Sequence, residues 1–543
     1  MKRTLKQRIK SFDNDYFDGK IKKIYKKIRR IGAEPFYNIE GYLYRKYRDG
    51  KVLFNGEVAL KDIILSQYHN DDYDNYRFVN GVVELLAIEN YFLKNEYGFD
   101  YYRRMQDGNY FDWESRFKKL IESFDKNGYE KKHFVQLAKD FAVMDGSHRI
   151  MLAWYNNLEF INGKVYQTER DRPFNIDFFW EKGFDLSECE IIKKKRDAIL
   201  EEANYLYTGV IWPPAVKYAD KILEDIENHG DGVRVVEKEM IEYTRDDFIG
   251  LFKGLYHTDI LDEEGMEYKI GLIEKAMDSK IDYTIVRFKL RCDNPRMTMN
   301  PKNYMPQSET ISRIKQWVRR RYKANIKNYE YDVIMHISDN YLQSKFCQNL
   351  FMIDKNLSEL FDGIKKYDYA VMRMPDVENI NKSFPYYYDY RANCNMLVRD
   401  SQKQELIKDI EMYCRKKCSL DWMSVKKAEE NGYVCIKIML RDFMIFQVEV
   451  TDSLEGISRD FIDTSLANID KNGQVNVLSR EHEAVVRLLA YIENPNKKRH
   501  LDYLNKNRSI IKDFNFEGIF DRKYQKKAMK VINNLEVKIE NEK

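Results

Sequence analysis

Apolar positions along the chain keep two spacings. Where they recur three and four residues apart they predict amphipathic helices. Two such helices fall between residues 76 and 124. Others are expected over 185–206, with Ser187 as cap, and over 217–227. Phe248, Leu251, Phe252, Leu255 and Tyr256 form a further stripe. Helices are also expected over 313–322, 402–418, 478–493 and 521–540. Short apolar runs predict strands at 51–54, 164–166, 281–290, 369–373 and 392–398. Residues 433–450 alternate as a hairpin turning at Arg441-Asp442. Asn55-Gly56 reads as a turn, and Trp212-Pro213-Pro214 as a rigid one that stops any helix. Residues 1–31 read as a basic amphipathic helix, which either packs on the first domain or lies on an anionic lipid surface. The aromatic run over 174–184 is either core or a lid.

This mixture of elements implies an α+β, multidomain chain. At 543 residues it is too long for one core. The expected division is a basic helix at 1–34, a first domain at 35–205, a middle α/β unit at 206–345, a fourth segment at 346–510 and a closing helix at 511–543. The net charge is +4, which argues against a protein that coats nucleic acid through bulk charge. Seven cysteines without a Cys-x-x-Cys pair point to spare or buried thiols. No apolar run follows the basic start, and none approaches the roughly 18 residues of a membrane span. The cytoplasm is the expected location. The sequence does not set an oligomeric state.

One junction stands out. Residues 141–144 are apolar and read as a short buried strand. Asp145-Gly146 follows as a turn. Ser147 can cap a helix starting at His148, with Ile150, Leu152, Ala153 and Trp154 facing a core. The N–H groups and dipole of a helix start attract anions. His148 and Arg149 place cations there, where a helix prefers acids, so a negative ligand is expected. The alternative is a solvated turn with Asp145 paired to Arg149. The run Asp145-Gly146-Ser147-His148-Arg149 resembles the motif of the ParB/sulfiredoxin-like superfamily, which includes the free-serine kinases. The resemblance spans about residues 35–200. It implies that Gly146, Ser147, His148 and Arg149 bind nucleotide phosphates, and that an upstream glutamate acts as base. Glu57 is the candidate by position, with Asp140 as rival. Asp145 could help to hold Mg²⁺.

A second strand-to-helix junction closes the middle unit. His336, Ser338, Asp339 and Asn340 come at a strand end, where α/β proteins place catalytic groups; Ser338 or Asp339 is equally a helix cap. The helix over 313–322 carries Lys315, Arg319, Arg320 and Arg321, either as an exposed face or as a phosphate clamp. Beyond it, Arg373 ends a strand, and 392–398 reads Ala-Asn-Cys-Asn-Met-Leu-Val. This order resembles the nucleotidyltransferase-like proteins of surface-polysaccharide gene clusters. Their strand carries two aspartates that hold Mg²⁺. Here those positions are Asn393 and Asn395, which bind Mg²⁺ poorly, so the resemblance implies a degenerate domain. Asp389, Glu449 and Asp452 remain nearby as carboxylates.

These readings lead to a nucleotide-dependent phosphotransferase acting on a small alcohol or sugar. ATP or another nucleoside triphosphate or diphosphate would be the donor, with Mg²⁺. By analogy the pathway would be envelope polysaccharide biosynthesis. Two alternatives stand beside it: a ParB-like protein that binds nucleotide and DNA, and a multidomain scaffold without catalysis.

Overall fold

The computed structural model describes residues 51–67, 79–93, 98–106, 113–168, 176–230, 232–259, 261–279, 282–353, 358–373, 393–430, 432–472, 475–496 and 498–541. The basic helix expected at 1–34, and Asp389, lie outside these residues. Helix and strand are mixed throughout, and the strands form three larger sheets and one two-stranded ribbon. Among the described residues no helix is long and apolar enough to cross a membrane.

The first sheet contains β1 (Val52–Ala59), β2 (Val135–Leu137), β3 (Val143–Asp145) and β4 (Phe160–Tyr166), in the order β1-β4-β2-β3. Asn55-Gly56 does not turn the chain. Gly56 lies within β1 directly opposite Gly163 in β4. A Cβ on Gly163 would sit 2.9 Å from Val58 Cγ2, so the glycine serves close packing and the strand runs on. Three helices cover this sheet's approach: Val79–Leu93, Gly98–Met105 and Trp113–Asn127, where two were expected. The first of them packs on the helix Ser147–Tyr155. The helix Leu186–Ala203 is capped by Asp185 rather than Ser187, in a capping box with Glu188. Of the aromatic run, Phe179 and Phe184 are buried in the core, Phe178 is half-buried and Trp180 is exposed.

The second sheet is antiparallel throughout. It contains β5 (Leu206–Ile211), β6 (Val233–Ile241), β7 (Ile285–Cys292) and β10 (Met335–Ile337), in the order β10-β5-β7-β6. Between them β8 (Met297–Met299) and β9 (Pro306–Ser308) form the ribbon. The boundary expected after residue 345 falls inside the helix Tyr341–Met352, which packs on β5.

The third sheet has seven strands. These are β11 (Tyr369–Met372), β12 (Asn393–Val398), β13 (Met423–Glu430), β14 (Tyr433–Leu440), β15 (Phe443–Thr451), β16 (Ile469–Asn472) and β17 (Val475–Leu478). Their order is β13-β14-β15-β12-β11-β17-β16, with β12/β15 and β11/β17 parallel. C-terminal helices bury Val485, Leu489, Leu504 and Tyr524 against Ala370, Met372 and Leu397 as one core. A second, larger core runs through the first two sheets and the other residues of the third.

The three sheets meet at a few polar posts. Glu159 accepts from Tyr341 Oη at 2.6 Å and Trp422 Nε1 at 2.7 Å, and pairs with Lys345. The β14–β15 turn reaches both neighbours: Arg441 Nη2 lies 3.0 Å from Glu57 and Asp442 lies 3.2 Å from His257 Nε2.

Candidate functional site

β3 ends at Asp145, and Gly146 turns the chain into the helix Ser147–Tyr155 with φ of +95°. That left-handed value suits glycine. A Cβ there would lie 2.9 Å from Val135 Cγ1 and 3.3 Å from Val135 Cα, so the turn is pressed onto β2. Gly146 is the N-cap and no side chain caps the helix. The expectation that Ser147 caps a helix beginning at His148 is therefore corrected. Ser147 is already helical, and its hydroxyl donates to Glu84 Oε1 at 2.6 Å. The preceding run also differs from expectation. Phe141 is buried with φ of +61°, and its carbonyl accepts from Gln67 Nε2 at 2.9 Å. Only Val143–Asp145 is strand.

The helix start opens onto a cavity of about 380 Å³. Asp145, Gly146, Ser147 and His148 form one wall; Glu84, Tyr102, Gln67 and Trp113 stand on others. Glu84 is 5% exposed and its Oε2 has no hydrogen-bond partner among the described residues. Burial pushes its carboxyl up to about 8, against the opposing pull of the Ser147 hydrogen bond. His148 Nε2 lies 2.9 Å from Tyr102 Oη and 3.6 Å from Glu84 Oε1. The Phe117 ring packs edge-on at 4.4 Å. Burial, with the Arg149 charge adding to it, brings His148 down to about 4. Between those two values both groups are neutral, so their contact is not an ion pair. His148 is a neutral polar group rather than the expected cation. The Arg149 side chain is half-buried in the first turn, outside the cavity wall, and makes no hydrogen bond or ion pair among the described residues. The alternative pairing of Asp145 with Arg149 does not form.

Glu57 is not brought to this cavity. It sits on β1 opposite Asn162, with Lys131 Nζ at 3.4 Å and Arg441 Nη2 at 3.0 Å. Asp140 accepts from the Ala142 N–H at 3.3 Å. The carboxylate in the cavity is instead Glu84, which position relative to the motif did not reveal. One signal was present: Glu84 interrupts the apolar run Val82, Val83, Leu85, Leu86, all buried, and a charge on a buried helix face is rare without a role. Asp145 is exposed on the cavity rim. Among the described residues no group of three or more His, Cys, Asp or Glu is placed to hold a metal ion.

The second junction is already filled. Asn340 caps the helix Tyr341–Met352 by accepting from Gln343 N–H at 3.0 Å. Asp62 occupies the next position, its Oδ1 accepting from Tyr341 N–H at 3.2 Å and Tyr205 Oη at 2.7 Å. Burial raises Asp62 to about 7. Ser338 hydrogen-bonds Ser344 at 2.7 Å and Asp339 pairs with Lys315. His336 is buried against Tyr256 at 4.8 Å. Burial, then Lys315, Lys269 and Arg319, keep it well below its ordinary value. The phosphate clamp expected on the basic helix is corrected as well: Arg319 Nε lies 3.0 Å from Asp332 and Arg321 Nε 2.8 Å from Asp225. These cations already neutralise carboxylates of their own unit.

Arg373 and Glu449 stand on the third sheet, away from the His336 strand. Arg373 has φ of +61° and its N–H donates to Glu483 Oε1 at 3.0 Å. β12 and β15 run parallel with Asn395 opposite Glu449. Asn395 is buried, and its Oδ1 has no hydrogen-bond partner among the described residues. Asp452 is held by Lys403 Nζ at 2.7 Å.

No protein-family model matches the chain, and neither a curated protein nor a solved structure matches it. What the first site can do follows from its own geometry. The first-turn N–H groups of Ser147 and His148 have no acceptor within the helix, and both residues line the cavity. Beside them a buried carboxyl touches a hydroxyl through one oxygen, and its other oxygen is buried without a hydrogen-bond partner among the described residues. Anion binding and proton removal from an alcohol are the two acts this set can perform.

Proposed function

We propose that the cavity binds the phosphates of a nucleotide and that the chain is a nucleotide-dependent phosphotransferase acting on a small alcohol or sugar. The observation that carries this reading is Glu84. A buried carboxyl, one oxygen of which has no hydrogen-bond partner among the described residues, touches a helix N-terminus at the wall of a cavity of about 380 Å³. Burying such a group without a partner costs stability, and strongly shifted acids in clefts cluster at functional sites.

In this reading the Ser147 and His148 N–H groups bind the phosphates, and the free charge of Arg149 draws them in. Glu84, once ionised, takes the proton of the reacting hydroxyl. His148 and Tyr102 hold each other and close the apolar side of the cavity. Asp145 fits a Mg²⁺ that arrives with the nucleotide, since such an ion keeps mostly phosphate and water ligands and needs about one protein carboxylate.

The test is thermal shift with ATP, ADP, CTP and GTP, each with Mg²⁺, on wild type, on Glu84→Gln, and on Asp145→Asn combined with Arg149→Ala. At a hundred times its dissociation constant a ligand stabilises by about 2.7 kcal/mol. One nucleotide should shift wild type and Glu84→Gln alike and the double variant less. Phosphoryl transfer to a panel of alcohols should fall about 10²- to 10⁴-fold in Glu84→Gln. No shift with any nucleotide would overturn the reading. Retention on DNA at physiological salt would favour the ParB-like alternative.

A further inference from the structure

Resting on the phosphotransferase reading, we infer that Ser147 is a covalent way-station: its Oγ takes the phosphoryl group from the nucleotide and passes it to the acceptor alcohol. Three observations lead there. The Ser147 hydroxyl is aimed at Glu84 Oε1, 2.6 Å away, which is the arrangement of a nucleophile and its base. Ser147 is also the first residue of a nine-residue helix, where a phosphoserine would meet the free first-turn N–H groups and the positive end of the dipole. The cavity, at about 380 Å³, is near the small end of ligand sites, which run from about 300 to 1,000 Å³. A nucleotide and an acceptor therefore use it in turn, and the phosphoryl group needs a place to wait.

Glu84 Oε1 serves both half-reactions. In the first half-reaction the Ser147 Oγ–H proton goes to Oε1, the Oγ–Pγ bond forms, the bridging P–O bond breaks, and the nucleoside diphosphate leaves with that electron pair. Oε1 then gives that proton to solvent, the one proton each turnover releases, and in the second half-reaction the acceptor hydroxyl gives its proton to the ionised Oε1. Its oxygen bonds phosphorus as the Ser147 Oγ–P bond breaks, and Oε1 returns its proton to Oγ. Atoms and charges balance, and no co-reactant beyond nucleotide and alcohol is needed.

The experiment incubates the full chain with ATP, CTP, GTP and UTP, each labelled at the γ-phosphorus and supplied with Mg²⁺, and omits the acceptor. Tryptic mass spectrometry should find one phosphoryl group on Ser147, acid-stable as a serine ester is. Adding alcohols should discharge it. Ser147→Ala should keep the nucleotide thermal shift and lose labelling and transfer to the level without protein; Glu84→Gln should keep the shift and slow labelling about 10²- to 10⁴-fold. A second readout needs no variant: a donor chiral at the γ-phosphorus should give product with retained configuration, from two inversions. Inverted configuration, or transfer that survives in Ser147→Ala, overturns the inference and leaves the phosphotransferase reading standing. Loss of the nucleotide shift in wild type itself removes both.

Discussion

Replacing Glu84 by Gln tests the central claim about the site without any knowledge of its ligand. Glutamine keeps the shape and can still accept from Ser147 Oγ, but it cannot ionise. In wild type the folded carboxyl sits at about 8 against an ordinary 4.5, raised by burial. The folded state therefore binds the proton more tightly than the unfolded state does. Stability from this group is complete below 4.5 and is lost as pH rises toward 8, after which the loss is constant. The gap between 4.5 and about 8, at about 1.4 kcal/mol per pH unit, comes to on the order of 5 kcal/mol. The groups facing Glu84 do not titrate in that range: His148 is neutral above about 4 and the Tyr102 hydroxyl is pushed up by burial. Asp62 and Asp259, raised by burial to about 7 and about 6, weaken wild type over the same range. They are common to both proteins and cancel in the difference.

The linkage belongs to one cavity, so a probe of local opening reads it most directly. Hydrogen exchange of peptides covering Val79–Leu93 and Ser147–Tyr155, corrected for the chemical rate, reads the local opening energy between about pH 5 and 9. The variant should gain steadily on wild type from about pH 5 to 8 and then run parallel. A difference that stays flat within about 1 kcal/mol over that range, well below the linkage value, would mean that Glu84 is solvated, and the base role would fall with it.

Gly146→Ala forces a side chain into the left-handed turn and onto Val135; it should cost about 1–3 kcal/mol in urea unfolding and abolish nucleotide shifts. Gly209→Ala would put a Cβ 2.1 Å from the Phe288 ring, which is fully buried, so the second sheet should lose at least about 1–3 kcal/mol by overpacking, visible as a lower melting temperature with the nucleotide response unchanged. Lys315→Met leaves Asp339 and the Ile337 carbonyl without their cation; about 3–5 kcal/mol should be lost, and a neutral effect in urea unfolding would show that Asp339 is solvated.

Elements that carry their own periodicity were legible. The hairpin turning at Arg441-Asp442 and the helix Lys403–Lys417 both lie where the alternation and the three-four spacing put them. The misreadings share one cause, which is that tertiary contact reassigns a local signal. Asn-Gly is a turn signal for an isolated hairpin, yet Gly56 and Gly163 face each other in mid-strand because packing needs the missing Cβ there. Ser147 is a good cap in isolation, but a buried carboxyl sixty-three residues away claims its hydroxyl. The arginines of the helix Glu309–Tyr322 look like a clamp until Asp225 and Asp332, from other segments, close on them. The motif itself was visible because Asp145 to Arg149 are contiguous. Its proton acceptor was not, because only folding brings the helix Val79–Leu93 to it.

The same geometry ties ligand binding to a proton. A polyanion at the Ser147 helix start adds negative charge beside Glu84, which disfavours the ionised carboxyl and raises its pKa further. By linkage the ligand binds the protonated site more tightly. Affinity should therefore fall as pH rises past about 8, while transfer, which needs the ionised base, should rise over the same span. The nucleotide does not confuse this, since a terminal phosphate has given up its last proton by about pH 7. Binding measured between about pH 7 and 9 in two buffers of different ionisation enthalpy should show net proton uptake by wild type and none by Glu84→Gln. Affinity that increases through pH 8, or proton uptake that persists in the variant, would place the titrating group elsewhere and separate the anion site from the base. If the uptake is seen, weakening affinity and quickening chemistry cross near pH 8, and the activity optimum belongs there.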